Sequence, residues 1–355
     1  MFDDVSPFSL VAVAMALVVG IVFPFVAPNA YILHTGMLVL MWMGFASAWN
    51  IIGGFTGYVS FGHAAFIGYG MFTAGILYNV YGIGGALETF GAIGGFVGIL
   101  IAAGLVSGVI AAILSYPLLR LRGHYFAIAM LGVAEASKAF FTNYPADLLP
   151  GDLRGARGWM LPIIDPPMVT AEAFLYYAMF VVATLTVLMA YLIKRSKIGY
   201  GLIAIREGEN AARMLGVPVT RYKIYGFILS AFPVGILGAI NAYSIHTVKS
   251  TQHHTFHVAN TIDMIVVAML GGLGTVTGPI VGSVVFIGLR DFIFSDYLQF
   301  HLLLTGLLIV LVVLGAPRGL VGLYTDYRET GKILGIDVRE LLGLTTNRDT
   351  QEDEQ

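Results

Sequence analysis

Few side chains in this 355-residue chain could carry chemistry, and most stand inside long apolar runs. His63, Glu135, Lys138, Asp263, Arg290 and Asp291 are such groups. An ionisable residue in an apolar span is costly to bury in lipid and is therefore read first as functional, for instance as a step in a proton relay. Glu135 and Lys138, three apart on one helix face, can pair with each other. His63, in the run Ser60-Phe61-Gly62-His63-Ala64-Ala65-Phe66, either faces a polar pathway or hydrogen-bonds a carbonyl freed where a helix breaks. Asp263 is either the cap of a hairpin or a pathway residue. Among His246, His253, His254 and His257, the i, i+4 pair His253/His257 has metal-ligand spacing, but no carboxylate or cysteine completes the set. A solvated outer loop facing a partner is the reading taken, with no metal and no cofactor.

Other chemistry is excluded by what is missing. There is no G-x-x-x-x-G-K-[ST] loop to cradle ATP and no H-E-x-x-H. No paired carboxylates suitable for catalysis stand in any span. Absence of cysteine rules out disulfides and thiolate chemistry. A net charge of -2 argues against a nucleic-acid partner.

The elements that must position these groups follow from composition. Hydrophobic residues make up 57% and charged residues 11%, with a mean hydropathy of +0.83. Soluble chains carry about 25% charge. The pattern is that of an all-α polytopic membrane protein embedded in the lipid bilayer of the cell membrane, because each crossing needs about 20 apolar residues and such runs recur from end to end. Spans are expected at 8–28, 31–52, 57–78, 91–116, 124–142, 173–193, 224–245 and 299–315. No cleavable signal peptide is evident, since the first run follows Asp3 and Asp4 and is long enough to span. The stretch 258–291 is cut by glycines into halves too short to cross, so it reads as a re-entrant hairpin. Short basic loops prefer the cytoplasm. That rule puts Arg120, Arg122, the cluster from Lys194 to Lys223, Arg318, Arg328 and Lys332 inside. Eight spans and one hairpin then leave both termini cytoplasmic. Residues 1–325 form the membrane domain and 326–355 a cytoplasmic tail, with a polar, acidic, disordered end from Thr345 to Gln355.

Two Gly-rich breaks punctuate this plan, at 53–60 and at 271–279. Each opens with two glycines and is followed by Phe-Ile-Gly, at 66–68 and 286–288. Paired interruptions in two halves are what an internally repeated transporter shows, with the solute path near Ser60, His63, Gly271, Gly272, Gly274 and Thr275.

The charged island 199–223 stands apart. With its lead-in from Lys194 it holds nine of the chain's 40 Lys, Arg, Asp and Glu residues. From Leu202 to Leu215 a short amphipathic helix is expected, with Leu202, Ile205 and Met214 on one face and Glu209 and Arg213 paired on the other. Gly216 is its C-cap and Pro218 its stop. Gly201 and Gly208 weaken it by about 1 kcal/mol each, so it needs a docking surface.

Three blocks of residues resemble the permease subunits of branched-chain amino-acid ABC importers, of the LivM type. The first is Gly57-Tyr58-Val59-Ser60-Phe61-Gly62-His63-Ala64-Ala65-Phe66, similar to G-x-x-S-x-G-H-A-A-F. The second is Ala204-Ile205-Arg206-Glu207 through Glu209, Ala211, Ala212 and Arg213 to Leu215-Gly216, with Thr220-Arg221-Tyr222-Lys223, similar to the family's ATPase-docking loop. The third is Leu270-Gly271-Gly272-Leu273-Gly274-Thr275 with Gly278-Pro279. Gly208 departs from the family, which usually has an acidic residue there, and the outer segment 149–158 lacks the usual T-G-G start. The resemblance implies a non-catalytic transport subunit with four kinds of partner chain: a LivH-like sister permease, two LivG/LivF-like ATP-binding subunits and an extracytoplasmic binding protein. It implies branched-chain amino acids or a related solute, with urea or short amides as the alternative; a proton-coupled secondary transporter is the reading from a different class.

Overall fold

The computed structural model describes residues 7–79, 83–121, 123–143, 158–163, 170–251, 254–290, 306, 319–323, 332–333 and 336–337. They form eleven helices: α1 (Pro7–Val26), α2 (Ala30–Thr56), α3 (His63–Asn79), α4 (Ile83–Leu118), α5 (His124–Asn143), α6 (Ala171–Lys194), α7 (Lys197–Glu207), α8 (Glu209–Met214), α9 (Val219–Ile245), α10 (Val258–Gly271) and α11 (Gly278–Gly288). Two antiparallel pairs of two-residue strands complete them, β1 (Trp159–Met160) with β2 (Thr247–Val248), and β3 (Lys332–Ile333) with β4 (Ile336–Asp337).

Four helices among the described residues are long and apolar enough to cross a membrane: α2, residues Ile93–Leu118 of α4, α6 and α9. Helices also occupy the places expected for the first, third and fifth spans. Apart from Gly306, which is helical, the span expected at 299–315 lies outside the described residues, as does the polar end at 345–355.

Some boundaries move, for local reasons. α2 runs through Gly53 and Gly54 and stops only at Gly57, whose φ of 73° is open to a residue without a Cβ. The first break is therefore 57–62, not 53–60. α9 begins at Val219 rather than 224, so Arg221, Tyr222 and Lys223 are helical. α6 is framed as its sequence suggests, by the Thr170 hydroxyl accepting from the Ala173 N–H (3.3 Å), an acid in the first turn and Lys194 in the last.

α2, α3 and α9 form the centre, with α4 and α6 flanking them and the α10/α11 pair packed on α2. Side-chain burial gives helices little net drive to associate in lipid, so close backbone approach carries much of the packing. A Cβ on Gly70 of α3 would fall 2.0 Å from the Gly235 carbonyl of α9, which shows how near the two backbones lie.

The 258–291 stretch turns back on itself as expected. A Cβ on Gly282 would meet the Val267 carbonyl at 2.0 Å, and at the turn one on Gly271 would meet the Gly278 carbonyl at 1.7 Å. At the open end an Arg290 Nη1 lies 3.9 Å from Asp263 Oδ2, joining the two arms.

Candidate functional site

The charged island folds as two short helices, not one. Ser196 caps α7, its hydroxyl accepting from the Gly199 N–H at 3.3 Å. Gly208 then ends α7, donating its N–H to the Ala204 carbonyl (3.2 Å), and α8 starts from it with no side-chain cap. The expected continuous helix fails at Gly208 because glycine gains least from helical order and offers no capping oxygen. The stop is as read: Gly216 has φ 82°, its N–H donates to the Arg213 carbonyl, and the Val217 N–H donates to the Ala212 carbonyl, each at 3.0 Å. This is a Schellman closure. Gly201 has a packing reason, since a Cβ there would strike the Tyr222 ring of α9 at 2.0 Å.

The faces also differ from the pattern read in sequence. Leu202, Ile205 and Ala212 are buried, but Met214 is 90% and Leu215 83% exposed. Glu209 does pair with Arg213, at 3.0 Å, yet its carboxylate is 15% exposed and turned inward. It accepts a short hydrogen bond from the Tyr58 hydroxyl. It also meets the Lys223 ammonium at 3.3 Å. Lys223 is itself 1% exposed and donates to Tyr58 Oη (3.0 Å) and to the Leu119 carbonyl at the end of α4 (3.3 Å). Its ammonium stands 4.3 Å from the centroid of the Tyr58 ring. One carboxylate thus ties α8 to the first break and to α9, and Lys223 extends the link to the end of α4.

Arg206 makes a second tie. Its Nη1 donates to the Gly54 carbonyl at 2.9 Å, and a Cβ on Gly274 would stand 2.4 Å from the same nitrogen. The guanidinium therefore fills the space between the end of α2 and the tip of the α10/α11 hairpin. Beside it, buried Asn50 uses its whole carboxamide on that tip: Oδ1 accepts from the Gly274 N–H (2.9 Å) and Nδ2 donates to the Thr275 carbonyl (2.7 Å). Lys194 Nζ donates to the Gly274 carbonyl at 2.8 Å. Thr275 holds the tip's own shape, its hydroxyl donating to the Gly272 carbonyl (2.7 Å) and accepting from the Gly278 N–H (2.9 Å).

Ser60 and His63 lie apart from this knot. Both are fully buried. His63 Nδ1 is 2.8 Å from Ser60 Oγ and Nε2 is 2.9 Å from Ser230 Oγ. Ser230 donates its own hydrogen to the Phe227 carbonyl (3.0 Å), so it accepts from Nε2–H, and Ser60 donates to Nδ1. The Ser60 carbonyl accepts from the Trp49 indole at 2.9 Å. Two cavities, of about 520 and about 380 Å³, are lined by neither Ser60 nor His63, nor by Gly271 to Thr275. His257 caps α10, Nδ1 accepting from the Ala259 N–H at 3.3 Å, and His253 lies outside the described residues.

A family model described as the permease component of the branched-chain amino acid transport system matches residues 30–314. The chain belongs to that permease family. The permease is 25% identical to the high-affinity branched-chain amino acid transport system permease protein LivM of Salmonella typhimurium, over 86% of this chain and 73% of the relative. It is 24% identical to LivM of Escherichia coli over the same shares. It is also 23% identical to the ribose import permease protein RbsC of Haemophilus influenzae, over 64% of each chain. No solved structure matches it.

Within this permease, Glu209 and Ala212 of the island face the membrane helices, Arg206 is exposed but reaches the Gly54 carbonyl with its guanidinium, Glu207, Ala211, Arg213 and Gly216 are exposed, and Ala204 is half-buried. The residues that sequence reasoning passed over are Asn50, Tyr58 and Leu119, together with the burial of Lys223. Asn50 had a readable signal, a lone carboxamide in an apolar run three residues before two glycines. The Leu119 carbonyl had none, because a backbone acceptor leaves no trace in sequence.

Proposed function

We propose that this chain is the membrane-spanning, non-catalytic subunit of an ABC importer for branched-chain amino acids or a related small polar solute, driven by separate ATP-binding subunits that dock on α7 and α8. One observation carries the reading: α8 presents Met214 and Leu215 outward while its inner side is wired by Glu209, and the adjoining α7 by Arg206, into both breaks of the membrane domain. An apolar pair exposed on a short helix with charged surroundings suits insertion into a partner's groove. The chain carries no nucleotide motif, so hydrolysis falls to that partner. The docking end then lies in the cytoplasm, as the basic loops favour, with both termini on the same side.

Closure of the ATPases moves α8 as a body, and the ties from Glu209 to Tyr58 and to Lys223 of α9, and from Arg206 to α2 and the hairpin tip, carry that movement to the helices around the path. Access switches because the ATPases bind one arrangement better than the other. A sister permease supplies the facing half of the path, and a binding protein delivers solute to the β1/β2 end. Kinship to LivM supports amino acids, and kinship to RbsC makes a sugar the competing cargo.

The test is co-purification of the chain with ATP-binding subunits from the cells that carry it, with and without Met214→Glu and Leu215→Glu. Both positions are exposed, so the variants should fold normally. The expected result is loss of the ATPases and of ATP-driven leucine uptake. Retention of both in the double variant, or uptake that runs on an ion gradient without ATP, refutes the assignment.

A further inference from the structure

α5 carries an ion pair that the docking knot does not use. Lys138 Nζ is 4.0 Å from Glu135 Oε2, too long for a hydrogen bond, and the side chains are 33% and 53% exposed. Glu135 stands near mid-helix, about 17 Å from the start of α5 and about 12 Å from its end at 1.5 Å per residue. Its neighbours on the outward face include Ile128, Leu131, Gly132 and Ala139, all exposed. The inward face, Phe126, Met130, Ala134 and Ser137, is buried. A carboxylate projecting from mid-span into hydrocarbon is costly. α5 is 20 residues long, yet it is missing from the helices apolar enough to cross a membrane, unlike α4 and α6 on either side of it in sequence. The charges of α5 therefore project from its outer face, among exposed apolar residues such as Ile128, Leu131 and Phe140.

We propose that this face of α5 lines the aqueous path and that Glu135 and Lys138 are its recognition pair for a zwitterionic solute, Glu135 meeting the ammonium and Lys138 the carboxylate. This rests on the transport reading and names its substrate class. A loosely joined pair of opposite charges is complementary to an amino acid and has no counterpart in a neutral sugar. The pair's own contact is weak enough at 4.0 Å to be exchanged for two charge-assisted hydrogen bonds to the solute, one per side chain.

The chain contains no cysteine, so a single introduced thiol is the only one it can offer. Leu131→Cys, one turn from Glu135, and Gly132→Cys, where a Cβ meets nothing within 4 Å, are made in the full chain, in cells that carry its natural partners. Leu185→Cys on the exposed face of α6 is the lipid-facing control. Each is treated with a membrane-impermeant sulfonated thiosulfonate, with or without millimolar L-leucine or D-ribose. The α5 thiols are expected to label, Leu185→Cys to stay unmodified, and leucine but not ribose to slow α5 labelling about tenfold. Glu135→Gln and Lys138→Met should each raise the KM for leucine uptake about tenfold, the equivalent of one charge-assisted contact at about 1.4 kcal/mol. α5 thiols as inert as Leu185→Cys overturn the aqueous face. Labelling untouched by leucine, or slowed equally by ribose, overturns zwitterion recognition. Labelling reads solvent access without ATP, so failure of the docking assignment shows in co-purification and leaves this result standing.

Discussion

Glu209→Gln and Lys223→Met remove the two ends of one buried contact, and the surroundings predict that they are not equivalent. Lys223 is 1% exposed and holds its ammonium between the Leu119 carbonyl, the Tyr58 hydroxyl and the Glu209 carboxylate. Neutralising Glu209 leaves that cation buried without its counter-charge, a change that costs about 3–5 kcal/mol in comparable settings. Glu209 keeps 15% exposure, which brings the expectation to the low end, about 3 kcal/mol. At roughly 2–4 °C per kcal/mol, the detergent-purified complex should melt roughly 6–12 °C lower. Lys223→Met replaces the ammonium by an apolar chain of similar length and leaves Glu209 its contacts to Arg213 and Tyr58, so its cost should be about 1 kcal/mol. In the double variant no buried charge lacks a partner, and the melting point should recover most of the loss. Measured by thermal unfolding of all three variants, a Glu209→Gln that melts like wild type, or a double variant with the sum of both losses, refutes the buried-cation account.

Other expectations follow from the same geometry. Asn50→Leu keeps the volume but strands the Gly274 N–H and the Thr275 carbonyl, at about 1–3 kcal/mol each, so melting should fall and ATP-driven uptake with it; unchanged uptake and melting would show that the tip needs no anchor. Gly274→Ala places a Cβ 2.4 Å from Arg206 Nη1 at a φ of 78°, and uptake should drop while ATPase subunits still co-purify, because the residues on α8 proposed to dock them are untouched. His63→Gln retains a donor and an acceptor between Ser60 and Ser230, so the pH profile of uptake should keep its shape; a profile that shifts would return His63 to proton transfer.

How much of this could be read from sequence depends on what signals it. Helices with about 20 apolar residues announce themselves, and so did the Gly-marked turn between α10 and α11, because only residues lacking a Cβ allow Gly271 and Gly278 to meet. The Gly216 closure followed from a local rule and needed no tertiary information. Met214 was misread because helix periodicity was carried across Gly208, where the helix does not continue. Glu209 was misread for a different reason: its i, i+4 partner Arg213 is local and visible, while Tyr58 lies 151 residues away. Asn50 and Arg206 reach backbone atoms brought close only by folding, so spacing along the chain could not have paired them. The two Gly-rich stretches were noticed for their likeness to each other; that the glycines at the end of α2 touch the second one, with Gly54 against Gly274, is a property of the folded chain.

The hairpin tip is gripped through main-chain atoms. Asn50 and Lys194 address the Gly274 N–H and the Gly274 and Thr275 carbonyls, and no side chain of the tip, while Arg206, bonded to the Gly54 carbonyl of α2, stands against Gly274. Such a joint reads shape and is blind to side-chain identity. Val276 is then free to drift or to be engineered with little effect on it, whereas Leu273 also packs against the core, and a proline, or any residue that shifts the path of residues 272–275, disconnects the joint outright. A mutational scan of this loop should therefore look permissive except at its glycines, at Thr275, whose hydroxyl shapes the turn, and at the packed Leu273, and that pattern would mark the position of the joint.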